Sequence, residues 1–174
     1  MSFIIEHDID GNQRFFTKQE DDLKQLLLNS KRIYKIDHST LDEDRYGHWD
    51  LICYNKNGTS IKIDVKSIKS ENFIKDDSIN WLEEKNISGH AGWLYGDADY
   101  IAFETTKTWI IVKRKTLSDF YDRVLQFRTK IFRNSYNLPF YVRYQRIGNL
   151  DIIMKVKTND LEEISSKILN KKIL

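Results

Sequence analysis

The most regular alternation of apolar and polar positions lies between Gly47 and Ser67. Two runs rich in β-branched and aromatic residues flank the tetrapeptide Asn-Lys-Asn-Gly at positions 55–58. Such runs favour β-strands, and Asn at the first and Gly at the fourth position are typical of a type I turn. The pattern therefore predicts an antiparallel hairpin in this stretch of the chain.

The register of the hairpin follows from where its charged residues fall. A two-residue loop at Asn57-Gly58 would mix charged and apolar side chains on both faces, since a slip of one residue turns every side chain over. A three-residue loop of Lys56-Asn57-Gly58, with Gly58 left-handed, separates the two chemistries and places Asp50 opposite Asp64. We therefore expect an apolar face of Trp49, Leu51, Cys53, Ile61, Ile63 and Val65, and a polar face of Asp50, Tyr54, Lys62, Asp64 and Lys66.

Helical periodicity appears before the hairpin and towards the end of the chain. Residues 17–20, Thr-Lys-Gln-Glu, form a capping-box pattern ahead of a helix whose apolar stripe is Leu23, Leu26 and Leu27. A second helix is predicted from Thr116 to about Arg133, and a third from about Thr158, with Ile164, Ile168 and Leu169 on its apolar side.

Strand patterns occupy most of the remaining chain. They are predicted at 32–37, 100–103, 109–112, 140–144 and 150–156. Residues 68–98 carry less pattern, and we expect a mobile loop followed by a short helix there. The elements together predict a single α/β domain with a mixed sheet, spanning residues 1–174.

Composition narrows the class of protein. A chain of 174 residues that is 40% hydrophobic and 31% charged is typical of one globular domain. The single cysteine, Cys53, excludes an internal disulfide and a cysteine-rich zinc site. The apolar run at the amino terminus is too short for a signal peptide, and no run approaches the roughly 18 apolar residues of a membrane span. We therefore expect a cytoplasmic protein without membrane contact.

The polar face of the predicted hairpin concentrates negative charge. Opposing residues have Cβ atoms about 4.5–5.5 Å apart, and two carboxylates so placed repel each other. Mg²⁺ would relieve that repulsion, because it commonly binds one or two carboxylates together with phosphate and water. Lys66 lies two residues beyond Asp64 on the same face. Two carboxylates and an ammonium suit phosphodiester hydrolysis, although an ordinary solvated strand face is the alternative.

Asp50 followed by Asp64-Val65-Lys66 resembles the metal motif of the PD-(D/E)xK nuclease superfamily. The resemblance covers the hairpin and, beyond it, only the order of elements. Trp49 occupies the position of the proline in the motif's name, and that proline is often absent in the superfamily. The resemblance implies a restriction-endonuclease-like mixed sheet flanked by helices. It also implies Mg²⁺, with Mn²⁺ as a substitute, held by Asp50, Asp64 and the Val65 carbonyl, with Lys66 as a catalytic residue.

Two further residues are candidates for this site. Glu20 lies at helical spacing from Leu23 and Leu27, on the inner side of the first helical turn. It is either a helix cap or, as in several lineages of the resembled superfamily, a third metal-binding carboxylate. His48 would face Lys66 in the preferred register. This position would place His48 near the nucleic acid that such a site would bind.

Charge is segregated along the chain. Residues 1–106 hold 13 basic and 20 acidic residues, whereas residues 107–174 hold 15 and 6. Basic residues bind phosphates and aromatic residues stack on exposed bases, so we expect an acidic catalytic part followed by a basic nucleic-acid-binding part. Arg123, Lys130 and Arg133 would share the outer face of the second helix. Aromatic residues alternate with the basic ones at Trp109, Phe120, Tyr121, Phe127, Phe132, Tyr136, Phe140, Tyr141 and Tyr144.

Together these features predict a Mg²⁺-dependent endonuclease that hydrolyses DNA, restriction-like or junction-resolving, as a monomer or a homodimer. A non-catalytic nucleic-acid-binding protein of the same fold is the first alternative. A protein whose charge asymmetry mediates protein contacts is the second, since a segregated charge pattern also arises from solvated helix faces.

Overall fold

The computed structural model describes residues 4–7, 13–71, 74–133 and 138–171 as a mixed α/β protein. The three α-helices are α1 (Lys18–Leu28), α2 (Arg114–Leu125) and α3 (Thr158–Glu163), with a π-helical turn at Glu43–Gly47 and a 3₁₀ turn at Trp93–Tyr95. The strands are β1 (Ile4–His7), β2 (Gln13–Phe16), β3 (Ile33–His38), β4 (Leu51–Asn55), β5 (Ser60–Lys66), β6 (Lys69–Glu71), β7 (Ile74–Asp76), β8 (Ile79–Lys85), β9 (Tyr100–Glu104), β10 (Thr108–Lys113), β11 (Ile131–Arg133), β12 (Arg143–Gln145), β13 (Ile152–Lys157) and β14 (Lys167–Asn170). None of the helices in these ranges is long and apolar enough to cross a membrane.

A six-stranded mixed sheet forms the centre of the molecule. Its strand order is β14-β10-β9-β5-β4-β3, and β5 and β9 run parallel while the other neighbours are antiparallel. The ends of β3, β5 and β9 and the start of β4 therefore meet at one edge of the sheet. We call this end of the sheet, where the strand ends meet, the catalytic edge, after the role that is proposed below for the side chains it carries.

The hairpin of β4 and β5 has the predicted register. Leu51 pairs with Ile63 and Cys53 with Ile61, so the loop is the three-residue one. Gly58 adopts a φ of +83°, and its amide donates to the Asn55 carbonyl at 3.0 Å. The left-handed conformation is accessible to glycine at little steric cost, which is why this loop closes here.

Two apolar cores cover the two faces of the central sheet. One packs α1 against the sheet through Leu23, Ile36, Leu51, Cys53, Ile63, Ala102, Trp109 and Ile111. The other face carries α2, α3, the 3₁₀ turn and a second sheet, and includes Ile101, Phe103, Ile110, Leu117, Tyr121 and Met154. Strands β9 and β10 are buried on both faces, which explains their nearly continuous apolar sequences.

The placement of Trp49 was wrong in the sequence-based prediction. Its side chain belongs to the core on the opposite face from Leu51 and Cys53, and the Lys62 ammonium lies 4.9 Å from its ring centroid. The preceding residue, His48, has a φ of +54°. The chain therefore turns before β4 begins, and strand alternation does not extend back to Trp49.

A second sheet, in the order β11-β12-β13-β8, packs beside the first. The predicted strands at 140–144 and 150–156 correspond to β12 and β13, in part, but β8 was missed. Its sequence does not alternate cleanly, because Asn80 is buried and its amide donates to the Thr158 hydroxyl at 2.9 Å. Its long pairing with β13 stabilises it as a strand.

The bounds of the second and third helices were also wrong. Helix α2 ends at Leu125, after which Arg128 donates to the Phe140 carbonyl at 2.9 Å and residues 131–133 form β11. Helix α3 ends at Glu163. Ile168 and Leu169 instead lie on β14, which pairs along the open edge of β10. Tertiary pairing thus overrides the helical period in both segments.

Candidate functional site

Asp50 lies one residue before β4, where the paired strands reach the catalytic edge. Its amide donates to the Ile63 carbonyl at 2.9 Å, which extends the antiparallel ladder by one residue. Its carboxylate accepts the Val65 amide proton through Oδ2 at 2.6 Å. The side chain is 8% exposed, so this carboxylate is buried and fixed against β5.

Asp64 and Lys66 project from β5 towards the same space. Asp64 is 3% exposed, and the Lys66 ammonium lies 2.8 Å from its Oδ2 atom. The aliphatic stem of Lys66 leads the ammonium over the Trp93 ring, 4.7 Å from the centroid. The structure therefore brings Asp50, Asp64 and Lys66 together on one face of the hairpin.

The surroundings disfavour a negative charge on Asp50 and favour a positive charge on Lys66. Burial raises the pKa of Asp50 well above its ordinary value, and the negative charges of Asp64 and Glu20 raise it further, against the opposing effects of Lys66 and the Val65 amide. Burial alone would lower the pKa of Lys66, but the charges of Asp64 and Asp50 outweigh it and raise the net value. The site thus stabilises a cationic lysine and resists a second negative charge.

Two ionisable residues beside this group were not identified from the sequence. Burial raises the pKa of Glu83, on β8, while the nearby charge of Lys66 opposes that rise. Burial, followed by the charge of Lys66, lowers the pKa of Lys69, on β6. Both strands lie in the segment predicted as a loop, so no local sequence signal could have brought these residues to the site.

Glu20 lies near the pair but directs its carboxylate to other groups. Thr17 caps α1, as predicted, accepting from the Glu20 amide at 3.3 Å and donating to its Oε1 atom at 3.1 Å. The Oε2 atom lies 3.5 Å from Nδ1 of the buried His38, a neighbour that the sequence did not suggest. Within the described ranges, no three His, Cys, Asp or Glu side chains converge as a metal-binding group.

His48 lies outside the paired part of the hairpin. Because its backbone is left-handed, it does not continue the register opposite Lys66. Its Nε2 atom lies 3.2 Å from the Ala91 carbonyl oxygen, which ties the start of β4 to the loop after β8. Its charge also acts on Glu83, so it remains at the border of the site.

The three basic residues predicted to bind nucleic acid do not share a helix face. Arg123 is on α2, where it lines a groove with Asp160 and Glu163. The Lys130 ammonium lies 5.2 Å from the centroid of the Phe132 ring, and Arg133 donates to the Gln145 side chain at 3.0 Å. Lys130 and Arg133 both follow the end of the helix.

Several residues of the basic segment between residues 107 and 146 form ion pairs or pack in the cores of the protein. Arg143 donates to both carboxylate oxygens of Glu84, and Arg146 donates to the buried Asp151 at 2.5 Å. Among the aromatic residues, Trp109 and Tyr121 are in the cores, and Tyr136 lies outside the described residues. The composition of this segment therefore overstates its capacity to bind phosphate.

Comparison with protein-family models, with curated proteins and with solved structures found no match to this chain. The function is therefore inferred from the geometry and chemistry of the site itself.

Proposed function

We propose that this protein is a Mg²⁺-dependent nuclease that hydrolyses phosphodiester bonds in DNA. One observation carries the proposal. Asp50 and Asp64 are both buried on one face of the hairpin, and the Lys66 ammonium lies 2.8 Å from Asp64. Helix α1 before the hairpin and the mixed sheet around it support a restriction-endonuclease-like arrangement.

The donor set fits a hard divalent cation. Mg²⁺ is commonly bound by only one or two carboxylates, with water and substrate phosphate completing the shell. Burial and the neighbouring charge of Asp64 raise the pKa of Asp50, and a bound cation would favour the ionised carboxylate. Asp50, Asp64 and the Val65 carbonyl would hold the ion, and Mn²⁺ could take the same oxygen ligands. When bound, the ion would polarise a phosphoryl oxygen and lower the pKa of a coordinated water.

Lys66 would act on the phosphate directly. Its raised pKa keeps the amine protonated, so it is suited to stabilise negative charge that develops on the phosphoryl oxygens. Asp64 and the Trp93 ring hold the ammonium in place, which reduces the reorganisation needed when substrate binds. Glu20 would contribute through its charge, which raises the pKa of Asp50 and would increase the affinity of the edge for positive ions.

A non-catalytic nucleic-acid-binding protein is the second candidate. The observation that favours it is the ion pair itself, because Lys66 already neutralises one of the two carboxylates without any metal. In that case the hairpin would be a structural element, and DNA would bind without being cleaved.

Cleavage assays separate the two candidates. Linear duplex, branched and single-stranded DNA and RNA would be incubated with the protein in Mg²⁺ or in EDTA. We predict Mg²⁺-dependent cleavage by the wild-type protein and loss of at least about a hundredfold in rate for Asp64→Ala, with DNA binding and folding retained.

Asp99→Ala is the matched control. Asp99 is an exposed carboxylate that accepts the Lys62 amide proton at 2.8 Å, as Asp50 accepts that of Val65 three residues further along β5. It should leave cleavage unchanged. Cleavage by Asp64→Ala at the wild-type rate would refute the nuclease assignment at this site, whereas binding without cleavage of any substrate would favour the second candidate.

A further inference from the structure

Two loops at one end of the second sheet expose three aliphatic side chains. Residues 86–91 follow β8, and residues 146–151 connect β12 to β13. Ile87 is 61% exposed, Ile147 75% and Leu150 58%. We call these two loops the two-loop tip. A contiguous exposed apolar patch marks a surface that contacts another molecule, and these three side chains belong to two loops that a backbone hydrogen bond joins.

The tip is held in shape by backbone hydrogen bonds. The Leu150 amide donates to the Ile87 carbonyl at 3.1 Å, which joins the two loops. Gly89 has a φ of +83°, and a Cβ atom at this position would lie 3.3 Å from the Cβ atom of Leu150. The Gln145 side chain also donates to the Asn149 carbonyl at 3.1 Å. The loops are therefore packed closely while their aliphatic side chains remain outside.

Positive charge borders the tip. A cleft of about 450 Å³ is lined by Arg133, Gln145 and Arg146 together with residues 147–150 of the tip. Arg133 donates a hydrogen bond from Nε to Gln145, and Arg146 donates one from Nε to Asp151. A guanidinium has five N–H donors in a planar fork that suits phosphate, so each arginine retains donors beyond these bonds.

The tip and the catalytic edge border the same region of surface. The charge of Arg146 acts on both Glu83 and Lys69, and the charge of Lys66 acts on the same two residues. His48 provides a direct link, since its ring contacts the carbonyl of Ala91 in the first loop of the tip. A nucleic acid lying along this surface would meet Lys66 and the tip together.

We propose that the two-loop tip is a wedge that enters between neighbouring base pairs of duplex DNA, while Arg133 and Arg146 bind the adjacent phosphates. The inference rests on the proposed function and narrows its substrate class. Aliphatic side chains of DNA-binding proteins insert between base steps and unstack them. Unstacking is easiest at flexible pyrimidine–purine steps and at mismatched or branched positions. Such duplexes are therefore the expected preferred substrates.

Charge complementarity favours DNA over a second copy of this chain as the occupant of the tip. A two-fold contact through the tip would bring the arginines of one copy close to those of the other, and like charges oppose association. A polyanion instead gains contacts from the same arginines, and its bases accept the aliphatic side chains.

The test uses duplexes that carry a single 2-aminopurine at successive positions, since the fluorescence of this base increases when it is unstacked. The wild-type protein is added in EDTA, so that no cleavage occurs. We expect a fluorescence increase at one or two positions, larger at a mismatch. Ile147→Ser should lose that increase while its affinity changes by about tenfold or less, because the variant no longer unstacks the step. Ile168→Ser, which changes a 46% exposed isoleucine on β14, is the matched control and should behave as wild type.

The outcomes separate this inference from the proposed function. A fluorescence increase that depends on Ile147, without cleavage in Mg²⁺, would support the wedge and refute the nuclease. Cleavage in Mg²⁺ without any fluorescence increase, or with an increase that Ile147→Ser retains, would refute the wedge and leave the nuclease standing. A concentration-dependent dimer that Ile147→Ser dissociates would assign the tip to self-association and overturn the proposal.

Discussion

The catalytic edge and the basic segment at residues 107–146 use charge in opposite ways. At the catalytic edge, Asp50 and Asp64 are buried on one face beside the Lys66 ammonium, and burial together with the charge of Asp64 raises the pKa of Asp50. In the basic segment, Arg143 is paired with Glu84, and Arg146 with Asp151. The counts of charged residues alone would instead point to the basic segment. What marks a candidate functional site is an ionisable group whose pKa is strongly shifted by its surroundings, rather than an abundance of charge.

Among the variants that test this difference, Lys66→Met is expected to have the largest effect, which is on turnover. Turnover should fall about a hundredfold or more, the scale of losing one electrostatic group, because the ammonium that faces the phosphate is gone. Mg²⁺ affinity should persist or increase, since Asp64 loses a competing cation. Single-turnover cleavage and calorimetric Mg²⁺ titration would measure the two quantities.

Lys62→Met is the matched control for this variant. Lys62 also projects from β5 over a tryptophan, with its ammonium 4.9 Å from the Trp49 ring centroid, but it lies four residues before Lys66 in the strand. It should retain wild-type turnover. Loss of Mg²⁺ binding in Lys66→Met would show that the lysine holds the site together structurally and would contradict its catalytic role.

Arg143→Gln tests whether the basic segment is structural. Glu84 would lose both hydrogen bonds from the guanidinium while remaining largely buried, so we predict a destabilisation of about 2 kcal/mol. For a chain of this size, that lowers the Tm by about 4–8 °C. Lys115→Gln removes an exposed ion pair with Asp119 and should change the Tm little. Equal stability of the two variants would mean that the Arg143 pair is not structural.

Replacing the other basic residues should have the smallest effect, which is a change in the salt dependence of DNA binding. Each phosphate contact on duplex DNA contributes about 0.9 to the slope of log affinity against log salt concentration. Arg133 borders the cleft beside the two-loop tip, whereas Arg123 shares its groove with Asp160 and Glu163, which repel phosphate. Replacing Lys130 and Arg133 by Ala should therefore reduce the slope, and Arg123→Ala should reduce it less. The opposite order would move the DNA to the groove beside α2.

The features that the sequence predicted correctly are those that depend on residues close together in the chain. The register of the hairpin, the Thr17 cap and the existence of strands β9 and β10 all follow from local turn chemistry and side-chain patterns. These features place Asp50, Asp64 and Lys66 on one face, so the core of the candidate site could be read before the fold was known.

What the sequence did not predict depends on distant parts of the chain. Strand β8 is stabilised by β13, about seventy residues away, and it brings Glu83 to the catalytic edge. Strand β14 forms only because β10 offers an open edge. His38 reaches Glu20 from a different element, and Trp49 changes face because of a single left-handed residue. Periodicity within a segment carries no information about such contacts.

The central claim is that Asp50 and Asp64 form a metal site, and thermal unfolding of Asp50→Asn tests it most directly. Asparagine can still accept the Val65 amide proton through its side-chain oxygen, but it carries no charge. Because the folded-state pKa of Asp50 is raised, the stability of the wild type falls as the pH rises from the ordinary carboxyl pKa to the folded-state pKa, and it stays level above that. Without Mg²⁺, Asp50→Asn should therefore unfold at a higher temperature than wild type, and the difference should grow with pH only up to the folded-state pKa of Asp50.

Mg²⁺ should reverse that order. At a concentration about a hundredfold above its Kd, a ligand stabilises the folded protein by about 2.7 kcal/mol, so the Tm of the wild type should rise by about 5–11 °C while that of Asp50→Asn changes little. Asp99→Asn, which alters an exposed carboxylate that accepts the Lys62 amide proton, should respond to Mg²⁺ as wild type does. A lower Tm for Asp50→Asn without Mg²⁺, together with no response of the wild type to Mg²⁺, would contradict the metal site.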